Sequence, residues 1–318
     1  MNAHDIAGIT PAVIVPMRHD ESIDFAAYRT YLEWVISNDP VALAVNVDTG
    51  EGPYLTSDER AEVIRVTKEV AAGRVGVIAG CGGPSTATAI ANARVARDGG
   101  ADALLVFPTP AFLNDPFDPA IAVNYHAAIA EASGLPIVLF QLGPVFGGVN
   151  YTAEALEAMM RIPSVIGIKD ASFDPMRFSL VRDVARRQDR KITLLTGNDN
   201  FILESFLMGA EGGLLGYGAV GVGLLVEQLR LVQSKAFDRA HDSKVAVQGF
   251  CDYIYGHPIG DYRARCKVAL VHMGLLAAEQ TFVRAPYLSL WEQEKERAAH
   301  VVERYGLTRV GDSTRTAA

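Results

Sequence analysis

The stretch VIGIKDAS (165–172) decides how this chain is read, because it sets a lysine at the end of a run that otherwise belongs in a core. Val165, Ile166 and Ile168 are β-branched and the run is too short to span a membrane, so it predicts a buried strand over 165–169. An ammonium group is strongly hydrated, and burying it is costly unless it is paired or its pKa falls. A lysine whose pKa falls keeps free amine at neutral pH, and a free amine attacks a carbonyl to give a Schiff base. The competing reading of Lys169 is a strand-end side chain that pairs with Asp170 or reaches solvent.

Outward from this segment, similar short apolar runs recur, separated by longer amphipathic ones. They lie at 9–16, 42–47, 75–81, 101–107, 136–142, 165–169, 192–197 and 212–217, which predicts eight strands in parallel βα units. All but the first, which carries Pro11 and Pro16, are nearly continuous in apolar residues, as strands covered on both faces are. Between them, Thr56 and Glu59 form a capping box, and Asp118-Pro119 and Asp174-Pro175 each set an acceptor before a helix-starting proline. A doubly wound open sheet is the rival topology, but no GxGxxG follows the first strand. Residues 226–307 read as helices without strand signals. The expected fold is α/β, a (β/α)8 TIM barrel over 1–225 with an all-helical C-terminal domain over 226–318, its last residues DSTRTAA frayed.

Composition narrows the function. Of 318 residues, 49% are hydrophobic and 21% charged, and 29 basic against 37 acidic side chains leave a net charge of −8. That balance argues against nucleic acid or an anionic membrane as partner. Cys81, Cys251 and Cys266 form no CxxC, and no histidines share ligand spacing, so neither a disulfide framework nor a metal site is expected. The N-terminus lacks a basic segment followed by an uninterrupted apolar one, and no run approaches a membrane span, which points to a soluble cytoplasmic protein.

In such a barrel the reacting groups sit at the C-terminal ends of the strands. There the sequence offers Asp48, Thr49, Gly50 and Glu51, then Gly82 and Gly83, Pro108 and Thr109, Phe140 and Gln141, Lys169 and Asp170, Gly197, Asn198 and Asp199, and Tyr217. A lysine facing the small polar turn at 48–50 suits a carbonyl compound that carries an anionic group. The Thr49 hydroxyl and the N–H groups around Gly50 can hold a carboxylate without a full positive charge. Phe140 and Gln141 are expected to line the substrate. Asn198 and Asp199 are read either as partners for its distal part or as caps of the helix that follows. Glu51 is expected to tie the strand-2 turn, and Cys81 to be a buried, inert thiol.

The segments GITPAVIVPM (8–17), VDTGEGPYLTSDER (47–60), AGCGGPSTATAIANARVARDGGADALLV (79–106), IGIKDASFDPMRF (166–178), LTGNDNFILESFLMGAEGGL (195–214) and HPIGDYRARCKVALVHMGL (257–275) occur in the order and spacing of one family. The chain resembles the dihydrodipicolinate synthase / N-acetylneuraminate lyase family of Schiff-base aldolases over nearly its whole length. The resemblance implies an imine between Lys169 and pyruvate or another 2-oxo acid, with no other cofactor, and a carboxylate held by Thr49 and Gly50. It also implies a homo-oligomer, a tetramer or a dimer, whose partners are the oxo acid and an aldehyde.

The chain departs from that family's proton relay. Asp48 stands where the first threonine of GTTGE is expected and Phe140 where strand 5 ends in tyrosine. FPTPAFLN (107–114) lacks the strand-4 tyrosine, and QLGPVFGGVNY (141–151) lacks the synthases' arginine. Phenylalanine neither donates nor accepts a proton. Three readings stay open. The first is a Schiff-base carbon–carbon lyase or dehydratase with a rewired relay, in which a partly buried Asp48, with Tyr217 or Tyr54, moves protons. The second is the lysine-pathway synthase itself. The third is a barrel that binds or senses a 2-oxo acid without turnover. A static Asp48–Lys169 pair would hold the lysine charged.

Overall fold

The computed structural model describes residues 1–113 and 118–307. Eight strands run parallel: β1 (Ile9–Pro11), β2 (Ala42–Val45), β3 (Gly76–Cys81), β4 (Ala103–Val106), β5 (Ile137–Leu142), β6 (Val165–Ala171), β7 (Thr193–Thr196) and β8 (Gly212–Leu215). From β2 to β8 each pairs with its sequence neighbour, and β8 pairs with β1. A bridge between Ala12 and Ala44, with Val13 N–H donating to the Ala44 carbonyl at 3.0 Å, closes β1 onto β2. The first strand is shorter than the apolar run suggested, ending at Pro11.

Side chains alternate across this wall. Ala44, Ile78, Leu105, Val138, Phe140, Leu195 and Leu214 fill the barrel, whereas Leu43, Val45, Val77, Leu104 and Leu139 face the outer helices. The lower end is plugged by the N-terminal segment: Ile6 is fully buried in the lumen cluster, and Thr193 Oγ1 donates to the Ala3 carbonyl at 2.6 Å.

The barrel helices are α1 (Phe25–Ile36), α2 (Ser57–Ala71), α3 (Thr86–Asp98), α4 (Pro119–Ser133), α5 (Ala153–Met160), α6 (Pro175–Arg186), α7 (Ile202–Leu207) and α8 (Gly218–Gln233). Thr56 and Glu59 form the expected capping box, and Asp118 and Asp174 accept from the N–H groups of Ala120 and Met176. By contrast α7 starts after Phe201 without a side-chain cap, so Asn198 and Asp199 do not serve it.

Beyond α8 lie α9 (Phe237–Ile254), α10 (Tyr262–His272) and α11 (Trp291–Arg304). The expected frayed end, DSTRTAA, lies outside the described residues. Among the described residues no helix is long and apolar enough to cross a membrane.

Candidate active site

β6 places Lys169 inside the barrel, because Gly167, Lys169 and Ala171 share the lumen face while Ile168 and Asp170 point outward. The strand-end pair of lysine and Asp170 therefore does not form. Asp170 sits behind the wall, where Gln141 Nε2 donates to it at 2.6 Å, Asn198 Nδ2 at 2.9 Å and Ser172 Oγ at 2.9 Å. Burial pushes the Asp170 carboxyl upward, and these three donors hold it down in part.

Space for the lysine is made by Gly197 at the end of β7. A Cβ there would collide with Lys169 Cε and lie 3.0 Å from Ala171 Cβ. The ammonium nitrogen lies 4.2 Å from the centroid of the Phe140 ring. No carboxylate among the described residues forms an ion pair with it. Burial lowers the Lys169 pKa to about 8, while the charges of Asp199 and Asp48 oppose the drop.

Asp199 is the buried carboxylate on this side. Desolvation pushes it up to about 7, opposed by Lys169, by the N–H of Tyr217 and by the hydroxyl of Tyr255. Tyr255 follows α9 and stacks on Tyr262, the first residue of α10, with ring centroids 5.1 Å apart. Tyr262 donates to Asp48 Oδ2 at 2.8 Å and approaches Thr49 Oγ1 at 3.5 Å. Gly216 lies where the Tyr255 hydroxyl and Thr49 Oγ1 come together, and a Cβ there would strike that hydroxyl. Burial raises both phenols well above their ordinary pKa, so both remain protonated donors at neutral pH.

The turn after β2 presents backbone donors that the fold leaves unused. Thr49 is buried, and the N–H groups of Thr49 and Gly50 donate to no acceptor among the described residues. Glu51 adopts a left-handed backbone and pairs with Lys267 of α10 at 2.5 Å, both side chains fully buried. Removing either partner would strand a buried charge, a loss of about 3–5 kcal/mol. Glu51 is thus the structural tie expected of it.

Several expected site residues go elsewhere. Asp48 is half exposed rather than desolvated, and Arg263 grips it: Nε donates to its carbonyl at 2.8 Å and the guanidinium pairs with its carboxylate. It makes no ion pair with Lys169. Tyr217 lies past the end of β8, not on it. Its ring packs at 5.6 Å against Phe250, and its hydroxyl is buried without a hydrogen-bond partner between α8 and α9, so only its N–H serves the site. Gln141 faces outward and accepts from Tyr151 N–H at 3.1 Å. Asn198 is consumed by Asp170 and by the Phe173 N–H, which donates to it at 2.7 Å. Tyr54 stands edge-on to Tyr287 at 5.5 Å on the rim. The Cys81 thiol is buried, and burial raises it to about 12. Among the described residues no cluster of histidine, cysteine, aspartate and glutamate would hold a metal.

Residues 5–305 match the dihydrodipicolinate synthetase family. The chain belongs to that family. It is 37% identical over 206 residues, 65% of this chain and 68% of the relative, to a 4-hydroxy-tetrahydrodipicolinate synthase of Sphingopyxis alaskensis. It is 30% identical over 308 residues, 95% of this chain and 99% of the relative, to the synthase of Aromatoleum aromaticum. In three dimensions it matches the chloride-inhibited dihydrodipicolinate synthase of Acinetobacter baumannii complexed with pyruvate. That match has a TM-score of 0.81 and 27% identity, and covers 95% of this chain and 99% of the other.

Two phenols reach this site from the end of α9 and the start of α10, Tyr255 and Tyr262. The sequence reading missed both, together with Arg263. The available signal was the segment YGHPIGDYR (255–263), where a helix break rich in glycine and proline is flanked by tyrosines.

Proposed function

We propose that this protein is a class I lyase that forms an imine between Lys169 and a 2-oxo acid. One observation carries the reading: an unpaired lysine inside the barrel mouth whose pKa is brought to about 8 beside a buried carboxylate. Such an amine is neutral often enough near pH 7 to act as a nucleophile.

In the proposed reaction the Lys169 nitrogen bonds to C2 of the oxo acid, and the carbonyl electron pair moves to oxygen. The carboxylate rests on the free N–H groups of Thr49 and Gly50 and on the Thr49 hydroxyl. Asp199, poised at about 7, and the hydrogen-bonded phenol of Tyr255 exchange the protons needed to expel water. The resulting iminium is an electron sink for enamine formation or carbon–carbon cleavage, and water then releases the amine. Asp48 is assigned to holding Tyr262 and Arg263 in place, not to proton transfer.

Reduction with sodium borohydride in the presence of pyruvate tests this. The expected result is a pyruvyl adduct on the peptide carrying Lys169 and none in Lys169→Ala. Binding of pyruvate without any adduct would favour the non-catalytic reading instead.

A further inference from the structure

We propose that the aldehyde partner of this site is uncharged and apolar, with an aromatic aldehyde as the best-fitting class. This rests on the imine at Lys169 and adds the identity of what the enamine attacks.

The mouth around Lys169 has two unlike halves. Toward β4, β5 and β6 it is built of rings and aliphatic groups. Phe107 meets Phe140 edge-on at 5.0 Å, Lys169 lies over Phe140, and Phe146 contacts Phe173 at 4.6 Å. Phe107, Leu142 and Phe173 pack against the lumen cluster and are only partly buried, so each keeps some apolar surface uncovered. Phe173 is held at φ 58°, a left-handed conformation that is strained for a bulky side chain. Its N–H donates to Asn198 and its carbonyl accepts from Asn200, and those two bonds fix the loop that presents the ring.

The other half is polar, and its free N–H groups at Thr49 and Gly50 are taken by the oxo acid carboxylate. Asp199, Asp48 and the two stacked tyrosines face the turn at Thr49. An acceptor bearing its own carboxylate would meet two aspartates there. The neighbouring cation, Arg263, is nearly fully buried, bonded to Asp48 and to the Gly260 carbonyl, and sandwiched between Tyr262 and Tyr287. Lys267 is committed to Glu51. Desolvating an acceptor carboxylate without a cation to receive it is costly, whereas an aromatic ring gains contact with the phenylalanines.

The chemistry balances without a further reactant. The iminium gives a proton from C3 to the Asp199–Tyr255 pair, leaving the enamine, and C3 then bonds to the aldehyde carbon. The carbonyl π pair becomes an alkoxide that takes a proton from the Asp199–Tyr255 pair. One water, equal to that lost in forming the imine, then frees Lys169 and a 4-hydroxy-2-oxo acid.

The test measures kcat/KM with saturating pyruvate for benzaldehyde, glyceraldehyde and aspartate semialdehyde, alongside borohydride trapping of pyruvate alone. Benzaldehyde is expected to exceed both polar aldehydes by at least about tenfold. Phe173→Gly, which the left-handed backbone accommodates, is expected to raise KM for benzaldehyde about tenfold. A pyruvate adduct combined with preference for either polar aldehyde overturns the inference and leaves the imine standing. Failure to trap any adduct overturns the imine and this inference with it. An unchanged KM in Phe173→Gly also overturns it.

Discussion

At the scale of single residues, the chemistry turns on the balance between burial and one charge at Lys169. Desolvation brings its pKa to about 8, and the negative charge of Asp199 keeps it from falling further. The lysine loses its proton as pH rises through about 8, so the rate of imine formation is expected to rise with it. Asp199→Asn removes a charge that raises the lysine pKa, so the midpoint is expected to move to lower pH. Rapid-mixing measurement of imine absorbance from pH 6 to 10, roughly the span around that midpoint, reads both effects. A wild-type midpoint near the ordinary lysine value of 10.5 would contradict the account. Lys169 was legible in the sequence because β-branched neighbours predict a buried strand whatever surrounds it. Asp199 was only half legible: its position after β7 was clear, but its hydroxyl partner, Tyr255, lies more than fifty residues away in the chain.

At the scale of elements, strand parity explains both the successes and the misplacements. Lys169 and Phe140 face inward, and Asp170 and Gln141, one step along, necessarily face out. Tyr217 was misplaced because β8 stops at Leu215, which turns the ring from the lumen into the packing between α8 and α9. The break between α9 and α10 does what no strand of this barrel does: it lowers two protonated phenols onto Asp199 and onto the β2 turn. Tyr255→Phe keeps the stack on Tyr262 and deletes one proton donor. Its kcat is expected to fall by about a hundredfold, the scale of a lost general acid or base, with KM for pyruvate little altered. Steady-state kinetics decides this, and an unchanged kcat would remove Tyr255 from the relay.

At the scale of the molecule, stability and chemistry occupy opposite ends of the barrel. The lower end is closed by Ile6 and its neighbours, and the upper end carries Lys169, Asp199 and the β2 turn, to which the proposed chemistry is assigned. Ile6→Ala is expected to cost about 2–5 kcal/mol of stability, as deletion of a fully buried aliphatic side chain does, while imine formation persists. Denaturant melts paired with borohydride trapping would show it, and loss of trapping in a folded variant would break the separation. The barrel itself was readable from the periodic apolar runs, because strands covered on both faces must be apolar throughout. The pairing of the C-terminal helices with the mouth was not, since helical periodicity says which face is buried and nothing about what it is buried against.

The most direct measurement is a crystal structure of the protein soaked with pyruvate. The account predicts continuous density from the Lys169 nitrogen to C2 of the ligand, with the carboxylate on the Thr49 and Gly50 N–H groups. Pyruvate lying unbonded in the mouth, or an adduct on any other lysine, would contradict it.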